Sequence, residues 1–289
     1  MTASVLLDHP LVRELLSAGL RKETVSEDAR LVWHIWGDGP PLMLLHGSHG
    51  GWMHWIRNIG ALAARWTVFV PDLPGFGESD PPADLESPAA HARLIARGYA
   101  QLGVADPAID VVGFSLGALL GCWLSLEPGV TVRRLILADA GGLGTPLRSA
   151  QFQGAKGVKG EALREVNRVN LGAMMLHDPA SIDDLAIDIA MAYATRVRTR
   201  VQFHVIPDKL LPIVSRVRAP IDLIWGEHDF PHPDPERNAA AVRAVQPEAA
   251  LRVVEDAGHW SMYERPERFN AALIDLLTRP PRPALPGQG

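Results

Sequence analysis

A serine at position 115 lies between two glycines in the segment 113–117, which reads Gly-Phe-Ser-Leu-Gly. An apolar run at 109–112 precedes this segment and the apolar stretch 118–124 follows it. The order predicts a strand, a sharp turn and a helix, in which the glycines leave room for the crossing backbone and the serine hydroxyl projects above the strand end. Ser115 is therefore a candidate nucleophile, provided that a neighbouring base takes its proton.

A candidate acid and a candidate base follow apolar runs later in the chain. Asp229 comes after the run 221–225, and His259 comes after the run 251–254. The order serine, acid, histidine is the one that accompanies a serine on such a turn. The acid would hold the imidazole in its productive tautomer and stabilise the imidazolium. Asp139, which follows the run 134–138, is a competing acid, and the pattern favours Asp229.

Backbone donors for a developing oxyanion are predicted at two places. A glycine-rich turn, 46–51, follows the apolar run 41–45 and can aim N–H groups at the reacting carbonyl. We expect the N–H groups of Ser48 and Leu116 to form an oxyanion hole. His46 is interpreted as a structural residue that is hydrogen-bonded to backbone.

Short apolar runs alternate with helical patterns along the chain, which is typical of βαβ units and a mostly parallel sheet. Strands are predicted at 31–35, 42–45, 67–70, 109–112, 134–138, 221–225 and 251–254, and helices at 55–64, 88–102, 116–126, 235–245 and 266–277. Ser115, Asp229 and His259 each follow a strand, and ligands bind such sheets beyond the carboxyl ends of the strands.

Five segments in this order resemble the α/β-hydrolase family, at 44–47, 71–79, 113–117, 225–229 and 257–259. The resemblance implies a mostly parallel sheet of eight strands flanked by helices. It further implies two parts of one core, 1–142 and 212–278, with a helical cap at 143–211 after the sixth strand. Apolar cap residues are then expected to face the serine; they are Phe152, Met174, Met175 and Tyr193. The segment 279–289 is expected to be a disordered tail.

Within that family the turn 46–58 and the ending 258–260 look like the meta-cleavage-product hydrolases, which split a C–C bond. The chain departs from that group at three polar contacts, where it has Phe114, His54 and Ile189, although Arg196 or Arg198 could replace the missing cap arginine. The residues expected to bind substrate are His54, Phe114, Trp260, Met174 and Arg196. We expect hydrolysis of a small carboxylic ester, with C–C cleavage as the alternative and a catalytically silent receptor as a third reading.

Composition limits the partners of this chain. It has 289 residues, a net charge of −5 and one cysteine, Cys122. No basic face for nucleic acid and no membrane-spanning or signal segment is evident, so a cytoplasmic protein acting on a small molecule is expected, and a homodimer is left open. No cofactor is expected. No metal site is predicted either, because the segment 227–235, rich in His, Asp and Glu, is held extended by prolines.

Overall fold

The computed structural model of the protein describes residues 8–106, 108–205, 208–280 and 282. Eight strands form one sheet in the order β1-β2-β4-β3-β5-β6-β7-β8, in which β2 pairs antiparallel with both β1 and β4 and the pairs from β4 to β8 are parallel. The strands are β1 Leu20–Ser26, β2 Ala29–Trp36, β3 Pro41–Leu45, β4 Thr67–Pro71, β5 Ala108–Phe114, β6 Thr131–Ala138, β7 Ile221–Gly226 and β8 Leu251–Val254.

Helices cover both faces of this sheet. They are α1 Pro10–Ala18, α2 Ile59–Ala63, α3 Pro88–Gln101, α4 Leu116–Leu124, α5 Glu161–Met174, α6 Asp184–Ala194, α7 Leu211–Val214, α8 Pro235–Arg243, α9 Ser261–Glu264 and α10 Pro266–Thr278. Side chains alternate between the two faces of each strand, and in β3 Leu42 and Leu44 enter one apolar core while Met43 and Leu45 enter the other. The fold therefore has three layers, helix, sheet and helix, as the family resemblance implied.

The parallel strands end close to one another at one edge of the sheet. Phe114, the last residue of β5, pairs with Ala138, the last residue of β6. Gly226 at the end of β7 pairs with Val254 at the end of β8. The loops that follow these strands therefore emerge side by side, which is what brings distant parts of the sequence into one site.

The chain between β6 and β7 contains the helices α5, α6 and α7 and two short 3-10 turns, Pro179–Ser181 and Val201–His204. Its described residues, which exclude 206 and 207, form no strand. Backbone and side-chain hydrogen bonds join this segment to the sheet domain at several places. The N–H of Trp260 donates to the carbonyl of Met175 at 2.8 Å, and the Arg198 guanidinium donates to the carbonyl of Gly77 at 3.2 Å.

All seven predicted strands are confirmed, and β1 is an additional strand. The predicted helix 55–64 is wrong in its first half. Trp52–Trp55 forms a 3-10 turn instead, and the helix begins only at Ile59. Between them the buried Asn58 amide donates to the carbonyl of Met262 at 3.0 Å and to Asn270 at 2.9 Å, which fixes the chain at the break.

The predicted tail 279–289 falls mostly outside the described residues. Arg282 is described, and its guanidinium lies 2.7 Å from the buried carboxylate of Asp222. This point of the segment is therefore held against the sheet by an ion pair. None of the helices in the described ranges is both long and apolar enough to cross a bilayer.

Candidate active site

Ser115 occupies a strained turn between β5 and α4. Its backbone has φ 51° and ψ −114°, a conformation that residues with a side chain rarely adopt. The turn is tight because glycines flank it. A Cβ on Gly113 would lie 2.3 Å from the carbonyl oxygen of Gly117, and a Cβ on Gly117 would lie 2.3 Å from that of Leu45. The helix can therefore cross the strand end only with glycine at both positions, and Ser115 stays partly exposed at the apex.

His259 and Asp229 meet beyond the ends of β8 and β7. Nδ1 of His259 lies 3.1 Å from Oδ2 and 3.2 Å from Oδ1 of Asp229, and both side chains are buried. Burial opposes ionisation of Asp229, but the nearby imidazoles of His259 and His232 outweigh it and hold the pKa of the carboxyl below its ordinary value. Asp229 is therefore a carboxylate at neutral pH, suited to orienting a protonated Nδ1.

Asp139, the competing acid, follows β6 and has other partners. Its carboxylate accepts a hydrogen bond from the N–H of Gly226 at 2.6 Å and another from the hydroxyl of Ser261. Burial raises the pKa of Asp139 well above its ordinary value, and the charge of Asp229 adds to the rise. Asp139 therefore fixes the end of β7 and the start of α9, while Asp229 is the carboxylate in contact with the His259 ring.

The glycine-rich turn after β3 is ordered by two histidines. His46 is fully buried, with Nδ1 2.7 Å from the carbonyl of Gly47 and Nε2 accepting from the N–H of Leu73 at 2.9 Å. The N–H of Gly47 is occupied by Nδ1 of His54 at 3.3 Å, which leaves Ser48 as the next donor along the turn. Leu116 begins α4, so its N–H has no acceptor within the helix.

A cavity of about 640 Å³ joins these elements, and both Ser115 and His259 are in its wall. Four of the residues expected to bind substrate also line it, namely His54, Phe114, Trp260 and Met174. Burial, with a smaller effect from neighbouring imidazoles, holds the pKa of His54 well below its ordinary value, so this side chain is neutral. The cavity is large enough for a ligand of moderate size.

Comparison with known proteins identifies the family. The sequence profile of the alpha/beta hydrolase family matches residues 42–272. The chain belongs to this family. It is a hydrolase, with the family's eight-stranded, mostly parallel sheet and flanking helices.

Among its relatives, this hydrolase is similar to a 2-hydroxy-6-oxo-6-phenylhexa-2,4-dienoate hydrolase from Burkholderia cepacia. The two are 28% identical over 258 residues, covering 83% of this chain and 88% of the relative. Two solved structures share the fold. One is a carboxylesterase from Bacillus subtilis, with TM-score 0.75, 18% identity and coverage of 96% and 98%. The other is a meta-cleavage product hydrolase from Pseudomonas fluorescens IP01, with TM-score 0.69, 22% identity and coverage of 89% and 97%.

Two expected substrate contacts of the hydrolase lie elsewhere. Arg196 does not line the cavity. Its charge instead acts on the buried Asp72. Burial raises the pKa of Asp72 to about 6, and the positive charge of Arg196 makes this rise smaller. Tyr193 was expected in the cavity roof, and this is wrong: its ring packs where a side chain on Gly51 would be, and it is absent from the wall. The other expected roof residues, Phe152, Met174 and Met175, do line the cavity.

The sequence reasoning missed one functional candidate, Arg148, and gave no role to another, His232. Arg148 is exposed at the cavity wall, and its guanidinium forms no ion pair with any of the residues that the structure describes. His232 is buried in the same wall, three residues after Asp229. Both belong to loops, where no periodic pattern marks an inward-facing residue. Ile189, in contrast, lines the cavity at the place where the resembled group carries an arginine.

Glu264 fixes the loop that carries His259. Its buried carboxylate accepts hydrogen bonds from the N–H of Gly258 at 2.7 Å, of His177 at 3.1 Å and of Asp178 at 2.6 Å. The first donor adjoins His259, and the other two belong to the segment between α5 and α6. One side chain therefore ties the histidine loop to the helical segment above the sheet.

Proposed function

We propose that the protein is a serine hydrolase that cleaves carboxylic esters through an acyl-enzyme. The observation that carries this proposal is the contact between Nδ1 of His259 and Asp229, beside a cavity that also exposes Ser115 on its strained turn. A serine needs a neighbouring base to become a nucleophile, and the base needs an acid to fix its tautomer.

In the proposed reaction the hydroxyl oxygen of Ser115 attacks the ester carbonyl while Nε2 of His259 takes the hydroxyl proton. The tetrahedral oxyanion accepts hydrogen bonds from the N–H groups of Ser48 and Leu116. His259 then returns the proton to the departing alcohol, and Asp229 stabilises the transient imidazolium. Water, activated by His259, releases the acid from the acyl-enzyme in a second cycle of the same steps.

The substrate class follows from the cavity. Phe114 gives the cavity wall apolar surface next to Ser115. Ile189 and Met174 give it apolar surface in the roof, which comes from the segment 143–211; we propose that this segment acts as a cap. Apolar surface near the serine suits the uncharged groups of an ester. A volume of about 640 Å³ also admits an aromatic or branched alcohol beside a short acyl group.

A second candidate is cleavage of a C–C bond in a dienone that carries a carboxylate. Arg148 supports it, because an exposed guanidinium in the cavity wall can pair with a carboxylate. The relative from Burkholderia cepacia is named as the hydrolase of such a dienoate. Phe114 and Ile189 favour ester hydrolysis, because they place apolar surface where a carboxylate would need hydrogen-bond donors.

The test has two steps. A fluorophosphonate probe should label the wild-type protein and not Ser115→Ala, whose turnover should fall by about a million-fold with the fold intact by circular dichroism. Labelling of both proteins, or of neither, would remove Ser115 as the nucleophile. A panel of p-nitrophenyl esters and ring-fission dienones at one pH then compares kcat/KM. We expect the esters to be faster, and a tenfold advantage for a dienone would establish the second candidate.

A further inference from the structure

His232 is a buried imidazole whose ring nitrogens have no hydrogen-bond partner among the described residues. Its side chain is only 7% exposed. Its backbone is well placed, since the N–H donates to Oδ1 of Asp229 at 3.2 Å and the carbonyl accepts from the indole of Trp225 at 3.2 Å. Buried polar atoms are rarely left unpaired, so this ring needs an explanation beyond packing.

The unpaired ring faces the pair that we assign to catalysis. Nδ1 of His232 lies 3.7 Å from Oδ2 of Asp229, beyond hydrogen-bond range, and Nδ1 of His259 lies 3.1 Å from the same oxygen. One ligand atom from each of the three residues lies within 4.8 Å of the others. Around a tetrahedral zinc ion with bonds of about 2.0–2.1 Å, neighbouring ligand atoms are separated by about 3.3 Å. The distances of the two imidazoles from Oδ2 of Asp229 lie on either side of that value, so these two contacts need only small shifts, and the two imidazole nitrogens lie within 4.8 Å of each other.

We propose that Asp229, His232 and His259 form a binding site for Zn²⁺, and that zinc bound there inhibits the enzyme. Two imidazoles and one carboxylate are a ligand set that zinc accepts, with a fourth position left for water, whereas Mg²⁺ and Ca²⁺ prefer oxygen ligands. The rings of His232 and His259 are both in the cavity wall, which gives the ion a route from solvent. No metal site was predicted from the sequence, although Asp229 and His232 both belong to the segment 227–235 that is rich in possible ligands; His259, which completes the set, follows a different strand.

Inhibition follows from the tautomer, and this step rests on the proposed role of His259 as the base. A zinc ion on Nδ1 of His259 takes the lone pair of that nitrogen, so the single proton of the neutral ring moves to Nε2. Nε2 then has no lone pair with which to accept the proton of Ser115. The ion also replaces the hydrogen bond between His259 and Asp229. Zinc would therefore block the first chemical step while leaving the cavity open.

The test is a zinc titration of the purified full-length protein, followed by ester hydrolysis and by thermal unfolding. We expect Zn²⁺ to inhibit the wild type and to raise its unfolding temperature, and EDTA to restore the activity. Mg²⁺ should have neither effect. His232→Val should need at least about tenfold more zinc for both effects, because even the loss of an outer partner of a metal ligand costs about 10–100-fold in affinity. His232→Leu serves if the valine variant does not fold.

Two further variants isolate the site. His228→Ala removes the imidazole of an exposed group, Glu227, His228 and Asp256, that could also hold a metal ion, and its zinc response should match the wild type. Ser115→Ala should still be stabilised by zinc, so the site can be measured even if Ser115 proves not to be the nucleophile. An equal zinc response in His232→Val and wild type, a response lost in His228→Ala, or activation by zinc would overturn the proposal.

Discussion

Replacing Asp229 by asparagine tests the arrangement of the site most directly. Both carboxylate oxygens lie within 3.2 Å of Nδ1 of His259, and the pair is shielded from water. Asparagine keeps the shape but can present its NH₂ group to the ring. Nδ1 would then act as the acceptor and Nε2 would carry the proton, which is the wrong tautomer for taking a proton from Ser115.

The expected loss is large because two effects act together. The base is in the wrong tautomer in the resting state, and the imidazolium that forms during attack loses its carboxylate partner. The corresponding change in a well-studied serine protease lowers kcat by about 10⁴, which is about 5.5 kcal/mol of transition-state stabilisation. We expect kcat for a p-nitrophenyl ester to fall by about 10³–10⁴ and KM to change by less than about threefold, since Asp229 is not part of the cavity wall.

Asp139→Asn is the matched control, because Asp139 is equally buried and follows the neighbouring strand. Burial, and to a smaller extent the charge of Asp229, raises the pKa of Asp139 well above its ordinary value, which favours the uncharged form that an amide resembles. We expect less than about a tenfold loss in kcat. If Asp139→Asn were the more damaging change, the acid would follow β6 and the contact between Asp229 and His259 would have no catalytic role.

Three other predictions concern stability and specificity. Because the pKa of Asp139 is raised in the folded state, ionisation of this side chain opposes folding. The free energy of unfolding should therefore fall as the pH rises above the pKa of about 3.9 that an aspartate has in the unfolded chain, and urea titrations should show a smaller fall for Asp139→Asn than for the wild type. Gly117→Ala should lower the free energy of unfolding by about 1–3 kcal/mol or more, because its Cβ would lie 2.3 Å from the Leu45 carbonyl oxygen, whereas Gly60→Ala, with open space around it, should be neutral or stabilising. Arg148→Ala should raise KM about 10–100-fold for substrates with a free carboxylate and leave neutral esters unchanged in steady-state assays; an equal effect on both would contradict a role in charge recognition.

The sheet could be predicted from the sequence because most of its strands are buried on both faces. The central strands β3, β5 and β7 are short, mostly apolar runs, interrupted only by Asp110 in β5 and Asp222 in β7, and polar or glycine residues mark their ends. The edge strand β1 was missed because it reads Leu-Arg-Lys-Glu-Thr-Val-Ser and is mostly exposed. Its position depends on pairing with β2 rather than on an apolar pattern of its own.

The candidate catalytic residues were predicted for a related reason. Ser115, Asp229 and His259 each follow a strand, so the backbone of the sheet determines where their loops begin. The cavity wall is different, because its side chains come from loops and from the segment between β6 and β7. Arg148 and Tyr193 show the difference: neither the position of the first in the cavity wall nor the packing of the second against Gly51 follows from a periodic pattern.

Glu264 joins these two parts of the molecule. Its carboxylate is 4% exposed and accepts N–H groups from Gly258 in the histidine loop and from His177 and Asp178 in the segment above the sheet. Moving that segment away would leave a buried carboxylate without two of its donors, and unpaired buried charges are costly. The loop that carries His259 and the cover of the cavity are therefore mechanically linked, so changes in the variable wall act on the position of the base as well as on the shape of the pocket.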